Sequence, residues 1–186
     1  MANAIEKVNG IAIADIEAIN GITDANLQAL NGLEFTGAGP FITATGGSIA
    51  TNGDYKVHTF AAGTNNFVVT GLGTDATYGN KVEFLIVAGG GGGGGGGASG
   101  AHGSGGGGAG RVLLNDDYTV SAQTYVVTVG AGGAGGNAHE DNGSTGSNSK
   151  IAISGGSDVA ECPGGGYGAL AKGTSTAGGN GGSGGG

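Results

Sequence analysis

Apolar and polar positions alternate in three different ways along the chain. In residues 1–36, apolar pairs flank an Asn-Gly that recurs every 11 residues: Val8-Asn9-Gly10-Ile11, Ile19-Asn20-Gly21-Ile22 and Leu30-Asn31-Gly32-Leu33. The intervening positions repeat too, with Ile16 matched by Leu27 and Ala18 by Ala29. An 11-residue period suits a right-handed supercoil. Asn-Gly opposes it, because both residues favour the left-handed conformation that ends helices. The pattern therefore predicts short helical turns, such as Asp24 to Leu30 capped by Thr23 or Asp24, each stopped by Asn-Gly. Such turns cannot bury their apolar faces alone. Val8, Ile11, Ile19, Ile22, Leu27, Leu30 and Leu33 are thus candidate anchoring residues, docking on a partner or on copies of the chain.

From residue 37 to about 130 the pattern is that of strands. Phe41 to Thr45, Ile49 to Thr51, Tyr55 to Phe60, Asn66 to Thr70, Lys81 to Ala88, Arg111 to Leu114 and Thr124 to Val129 are short β-rich runs bounded by turn residues. Asn52-Gly53 between two of them is the strongest hairpin signal. Runs of this length and spacing predict a small sandwich or barrel. The unbroken apolar run Val82 to Val87 predicts a central strand covered on both faces.

That run leads into nine consecutive glycines, Gly89 to Gly97, and glycine dominates again from 131 to 186. Three regions follow: a leader at 1–36, a β-domain at 37–130 with a glycine-rich insertion at 89–110, and a glycine-rich region at 131–186. One more strand candidate, Lys150 to Ile153, interrupts the last. By composition such segments are flexible linkers. The other reading is a lattice of extended, polyproline-II-like strands with three residues per turn, whose backbones approach as only glycine permits. Both remain open on sequence. In a lattice the larger side chains would sit at turns, and Ala101-His102, Asn137 to Asp141 and Tyr167 to Lys172 are the islands that fit.

Composition narrows the function classes. Glycine supplies 49 of 186 residues, yet two prolines and no Gly-X-Y period exclude collagen. The net charge is −8, with six Lys and Arg scattered singly. No basic stripe is present to neutralise phosphates or anionic lipids, which argues against nucleic-acid binding and membrane attachment. No apolar run reaches the 18 or so residues of a bilayer span. The lone Cys162 forms no intrachain disulfide, and the first residues lack the basic start and apolar core of a signal peptide. The expectation is a chain made in a cytoplasm.

Candidate chemistry is sparse. Gly130-Ala131-Gly132-Gly133-Ala134-Gly135 satisfies G-x-G-x-x-G, but no apolar helical period follows, so the dinucleotide reading fails. His139-Glu140-Asp141-Asn142 gathers ligand atoms without the order of a calcium loop or the i, i+4 pairing of a zinc helix. Asn115-Asp116-Asp117 reads as a polar turn, and Cys162, beside Glu161 and Pro163, as part of a loop. His58, His102 and His139 lie in different regions with no nucleophile pattern nearby. No catalytic, cofactor-binding or metal-binding residues are assigned, and the expectation is a non-enzyme without cofactor.

The leader repeats resemble those of bacteriophage tail-fibre and minor virion proteins. Gly46 to Phe60, Val82 to Gly90 and Tyr125 to Gly133 look like the glycine-rich domain of phage tail fibres and adhesins. The resemblance implies a mainly β virion structural protein carrying a polyglycine-II-like extension. Its leader would join tail, baseplate or capsid proteins, and the chain would assemble with itself, often as a homotrimer. The turns between glycine strands would face a host surface glycan or outer-membrane protein, which by position singles out His102, His139 and Tyr167. A capsid-decorating head fibre or cement protein is the neighbouring reading, and a cellular adhesin or extracellular filament subunit a rival of another class.

Overall fold

The computed structural model describes residues 41–53, 55–96, 103–137, 141–170 and 177–186, and within the leader the backbone pairing of two-residue strands. There β1 (Lys7–Val8) pairs with β2 (Ile11–Ala12), β3 (Ala18–Ile19) with β4 (Ile22–Thr23), and β5 (Ala29–Leu30) with β6 (Leu33–Glu34), all antiparallel. The apolar residues flanking each Asn-Gly are partners: Val8 opposite Ile11, Ile19 opposite Ile22, Leu30 opposite Leu33. Of the helical turn expected from Asp24 to Leu30, residues 24–28, Leu27 included, lie outside the described residues.

The remaining strands are β7 (Thr43–Thr45), β8 (Ser48–Asn52), β9 (Tyr55–Thr59), β10 (Gly63–Gly71), β11 (Lys81–Val87), β12 (Val112–Thr119), β13 (Thr124–Val129), β14 (Ser149–Ile153) and β15 (Asp158–Cys162). Among the described residues there is no helix. A five-stranded antiparallel sheet has the order β15-β14-β13-β10-β7, while β11-β12 and β8-β9 form separate two-stranded ladders. The β8-β9 hairpin closes at Asn52 opposite Tyr55, and Gly53 takes the positive φ of +58° that such a tight loop needs.

The five-stranded sheet packs one face on the β11-β12 ladder. Val69, Val120 and Tyr125 form one buried cluster, joined by Phe67, Val82, Tyr118 and Ile151. Ile86, Ala88 and Cys162 form the second, joined by Phe84, Leu113 and again Ile151. Aromatic rings link the layers: Phe67 lies 6.2 Å from Tyr125, Tyr125 6.5 Å from Tyr118, and Tyr118 5.7 Å from Phe84. The Tyr125 hydroxyl is satisfied inside, accepting from the Ser121 backbone at 2.9 Å and the Gln123 amide at 3.0 Å.

The arrangement is thus two unequal layers, and the sheets do not close into a barrel. Three local expectations change. β11 is covered on one face only, since Leu85 and Val87 point outward and are exposed. Asn115-Asp116-Asp117 does not turn the chain but lies within β12, where a register shift between Val82 and Phe84 and an Asp117 N–H bond to Asn115 Oδ1 absorb it. Cys162 ends a strand and is fully buried, its Sγ 3.9 Å from the Ile86 carbonyl.

Candidate functional site

Several strands continue past the sheets as extended backbone without changing course. Segment 88–96 carries on from β11, and 103–111 returns into β12; 130–137 carries on from β13, and 141–148 returns into β14; 163–170 carries on from β15. Residues 177–186 pack beside the last of these.

Their hydrogen bonds repeat every three residues. The N–H groups of Ala88, Gly91 and Gly94 donate to the carbonyls of Arg111, Gly108 and Gly105 at 2.8 to 3.0 Å. Those of Gly89, Gly92 and Gly95 donate to Ser147, Ser144 and Asp141 at 2.8 to 3.1 Å. The Gly90 and Gly93 carbonyls accept from Gly133 and Gly136, and those of Gly89 and Gly92 from Gly165 and Gly168, all at 2.8 Å. Segment 88–96 is therefore bonded to neighbours on several sides at once, antiparallel to 103–111 and 141–148 and parallel to 130–137 and 163–170. A β-strand bonds in one plane with a period of two. A period of three with bonds radiating around the axis marks a polyglycine lattice, the threefold geometry of polyproline II with backbone bonds added between strands.

Glycine is required here by space. The positive-φ glycines are Gly46, Gly47, Gly53, Gly63 and Gly155, all outside the lattice. A methyl group on Gly89, Gly92 or Gly95 would instead fall on the carbonyl of Ala131, Ala134 or Asn137. One on Gly91 or Gly94 would fall on the carbonyl of Gly166 or Ala169. Every third position is different: from Gly90 and Gly93 the nearest atoms would be carbonyl oxygens at 3.7 and 3.5 Å, ordinary contact. The run G-A-G-G-A-G-G-N at 130–137 obeys the same rule. Gly130, Gly133 and Gly136 abut the 141–148 backbone, while Ala131, Ala134 and Asn137 are exposed.

Side chains fasten the lattice at both ends. At the sheet end, buried Ser149 donates to the Val87 carbonyl at 2.8 Å and accepts from the Gly130 N–H at 2.9 Å, joining both layers. Asn148 accepts from the Gly164 N–H at 3.0 Å. At the far end, Asn142 accepts from the Leu170 N–H at 2.8 Å, and Ser104 donates to the Gly95 carbonyl at 2.8 Å.

The segments joining 96 to 103, 137 to 141 and 170 to 177 all leave from this far end. His102 and His139 belong to the first two and lie outside the described residues. Tyr167 is not in a turn. It lies within segment 163–170, half-buried with Gly179 against its ring, and the lattice continues through buried Ala169 and Leu170. The anchoring candidates Val8, Ile11, Ile19, Ile22, Leu30 and Leu33 lie in the leader's paired strands, whose side chains are outside the description.

Charges stay at the periphery, in ion pairs Lys81–Asp117 at 2.9 Å and Lys150–Asp158 at 3.1 Å. In the 73–79 turn, backbone N–H bonds from Tyr78 and Thr77 hold the Asp75 carboxyl below its ordinary pKa. Burial, with Tyr125 alongside, raises that of the Tyr118 phenol. Among the described residues no three His, Cys, Asp or Glu side chains converge as metal ligands, and no helix is long and apolar enough to cross a membrane.

No curated protein and no solved structure matches the chain. A family match spans residues 68–186, from β10 through the whole lattice, which is more than half of the sequence. The chain belongs to the glycine-rich domain family.

Proposed function

We propose that the protein is a structural part of a phage virion, a tail-fibre or baseplate-attached adhesin that presents the far end of its glycine lattice to the host surface. The observation that carries this reading is the common direction of the glycine segments. All three joining segments leave from one end of a rigid backbone lattice, while the sheets and the leader's attachment to β7 occupy the other. Surface loops positioned by a rigid scaffold are the usual place for recognition. The lattice offers little chemistry of its own, so recognition falls to segments 97–102 and 138–140, which hold His102 and His139, and to 171–176. Tyr167, held within segment 163–170 with Gly179 against its ring, yields this role to the segment that follows Leu170. At the opposite end, Val8, Ile11, Ile19, Ile22, Leu27, Leu30 and Leu33 supply the apolar surface for docking on tail or baseplate proteins.

Cryo-electron microscopy of intact particles tests the reading by locating residues 1–35. Density at the tail or baseplate, with the lattice pointing away from the particle, is the expected result. Density on the capsid would move the assignment to a head fibre or cement protein. Absence from particles would end the virion reading in favour of a cellular adhesin or filament subunit.

A further inference from the structure

Asn-Gly occurs at two places in the lattice, and the two are held differently. At Asn142-Gly143, Asn142 Oδ1 accepts from the Leu170 N–H at 2.8 Å, and the buried Gly143 donates to the Gly168 carbonyl at 3.0 Å. At Asn180-Gly181 both residues are exposed. Among the described residues, neither the Asn180 side chain nor the Gly181 N–H makes a hydrogen bond. Bends at 181–183 reverse the chain at this point. Residues 179 to 182 run antiparallel to segment 163–170, and 183–186 return parallel to it.

Glycine after asparagine leaves the backbone nitrogen open to the side-chain amide, because no Cβ obstructs the approach. The lattice cannot dispense with this glycine: a methyl on Gly181 would fall on the Gly166 nitrogen and the Gly164 carbonyl. We infer that Asn180-Gly181 is a site of spontaneous deamidation, and that the isoaspartate formed there breaks the register of the last lattice segment. The Gly181 nitrogen attacks Asn180 Cγ and forms a C–N bond. The Cγ–Nδ2 bond breaks, and Nδ2 leaves as ammonia with the proton that the Gly181 nitrogen gives up. Water then opens the succinimide. Addition at Cγ yields aspartate, and addition at the Asn180 backbone carbonyl carbon yields isoaspartate, whose chain runs on through Cβ and Cγ.

The Gly179 N–H donates to the Tyr167 carbonyl at 2.8 Å and the Gly182 N–H to the Gly164 carbonyl at 2.7 Å. Both partners are three residues apart, and the interval contains the Asn180–Gly181 bond. Isoaspartate adds one C–C bond of ~1.5 Å to one side of that interval only. The two hydrogen bonds then cannot hold together. Gly179 also lies against the Tyr167 ring, and the segment joining 170 to 177 re-enters the lattice just before it. At Asn142 the same closure must first break two hydrogen bonds, so reaction there waits on local opening. Asn52-Gly53 lies in the β8-β9 hairpin, where reaction leaves the lattice register intact.

Incubation of the folded full chain at mildly alkaline pH, with mass spectrometry after cleavage at Lys and Arg, tests the inference. Residues 173–186 contain Asn180 as their single asparagine, and residues 112–150 contain Asn142. Asn180 should convert at least about tenfold faster than Asn142 in the folded chain, and the two should agree within about threefold in denaturant. Equal rates in the folded chain would overturn the inference, as would a gap that persists in denaturant. Hydrogen exchange of the purified isoaspartate form should quicken at Gly179 and Gly182 while Gly91 and Gly94 hold. Asn180→Asp carries the new charge without the extra bond and should exchange like the unmodified chain. Equal quickening in Asn180→Asp, or none in the isoaspartate form, would overturn the break in register.

Discussion

The β-domain and the glycine lattice are continuous in backbone and opposite in what holds them. In the sheets, Val69, Tyr125, Ile86 and Cys162 bury side chains between layers, and the backbone bonds only within each ladder. In the lattice the backbone is itself the packing material, bonded to neighbours on several sides, with almost no side chain inside. Glycine costs the most conformational entropy to order, and the lattice offsets that with dense hydrogen bonding and close carbon–oxygen contact. The sheets tolerate changes of shape that conserve volume. The lattice tolerates a change only where no strand stands opposite.

The largest effect that separates the two regions is expected from Tyr125→Ala. It removes the best-buried aromatic of the core and should cost about 3–5 kcal/mol, the usual range for a large buried side chain. Because the lattice hangs on the sheet ends, chemical denaturation should show both regions melting together; a lattice signal surviving alone would show it to be independent. Ser149→Ala should cost about 1–3 kcal/mol, because the Val87 carbonyl and Gly130 N–H lose a buried partner. Hydrogen exchange should then quicken first at the junction, near Gly130, and leave the β8-β9 hairpin unchanged.

Calorimetry offers a subtler contrast. Exposing apolar surface raises heat capacity and exposing polar backbone lowers it. Unfolding of the full chain should therefore show a heat-capacity change per residue below the ordinary ~12–15 cal/mol/K. An ordinary value would mean that the glycine segments bury more apolar surface than the lattice provides.

The smallest effect is electrostatic and confined to the 73–79 turn. Asp75 has a lowered folded pKa, so its contribution is present above its ordinary value and is lost as pH falls through the depressed one. Acidification should quicken amide exchange at Thr77 and Tyr78 while lattice amides such as Gly92 hold. Equal loss in both places would contradict a lattice bonded without titrating groups.

The sequence was most legible where one signal had one structural outcome. Asn52-Gly53 gave the β8-β9 hairpin, and the alternation of Thr124 to Val129 gave β13 within a residue. Val82 to Val87 misled because an unbroken apolar run does not reveal which face is covered; Leu85 and Val87 look core-forming and are exposed. β15 was missed because Asp158 and Glu161 interrupt its apolar pattern and Pro163 follows Cys162. The lattice period was in plain view at Gly130 to Asn137, but the same spacing also fits a nucleotide-binding motif. Only three-dimensional neighbours separate positions that need glycine from those that merely have it. For the same reason Tyr167, isolated among glycines, looked like a turn residue and is part of a strand.

The most direct test of the lattice is an alanine scan of Gly89 to Gly96, each variant followed by thermal unfolding. Alanine at 89, 91, 92, 94 and 95 meets backbone that cannot move aside, and each should lose roughly 3 kcal/mol or more. Alanine at 90, 93 and 96 enters space and should stay within ~1 kcal/mol of the wild type, with a slight gain from the stiffer unfolded chain. A two-to-one alternation along the run is the expected result; eight variants that unfold alike would contradict the lattice.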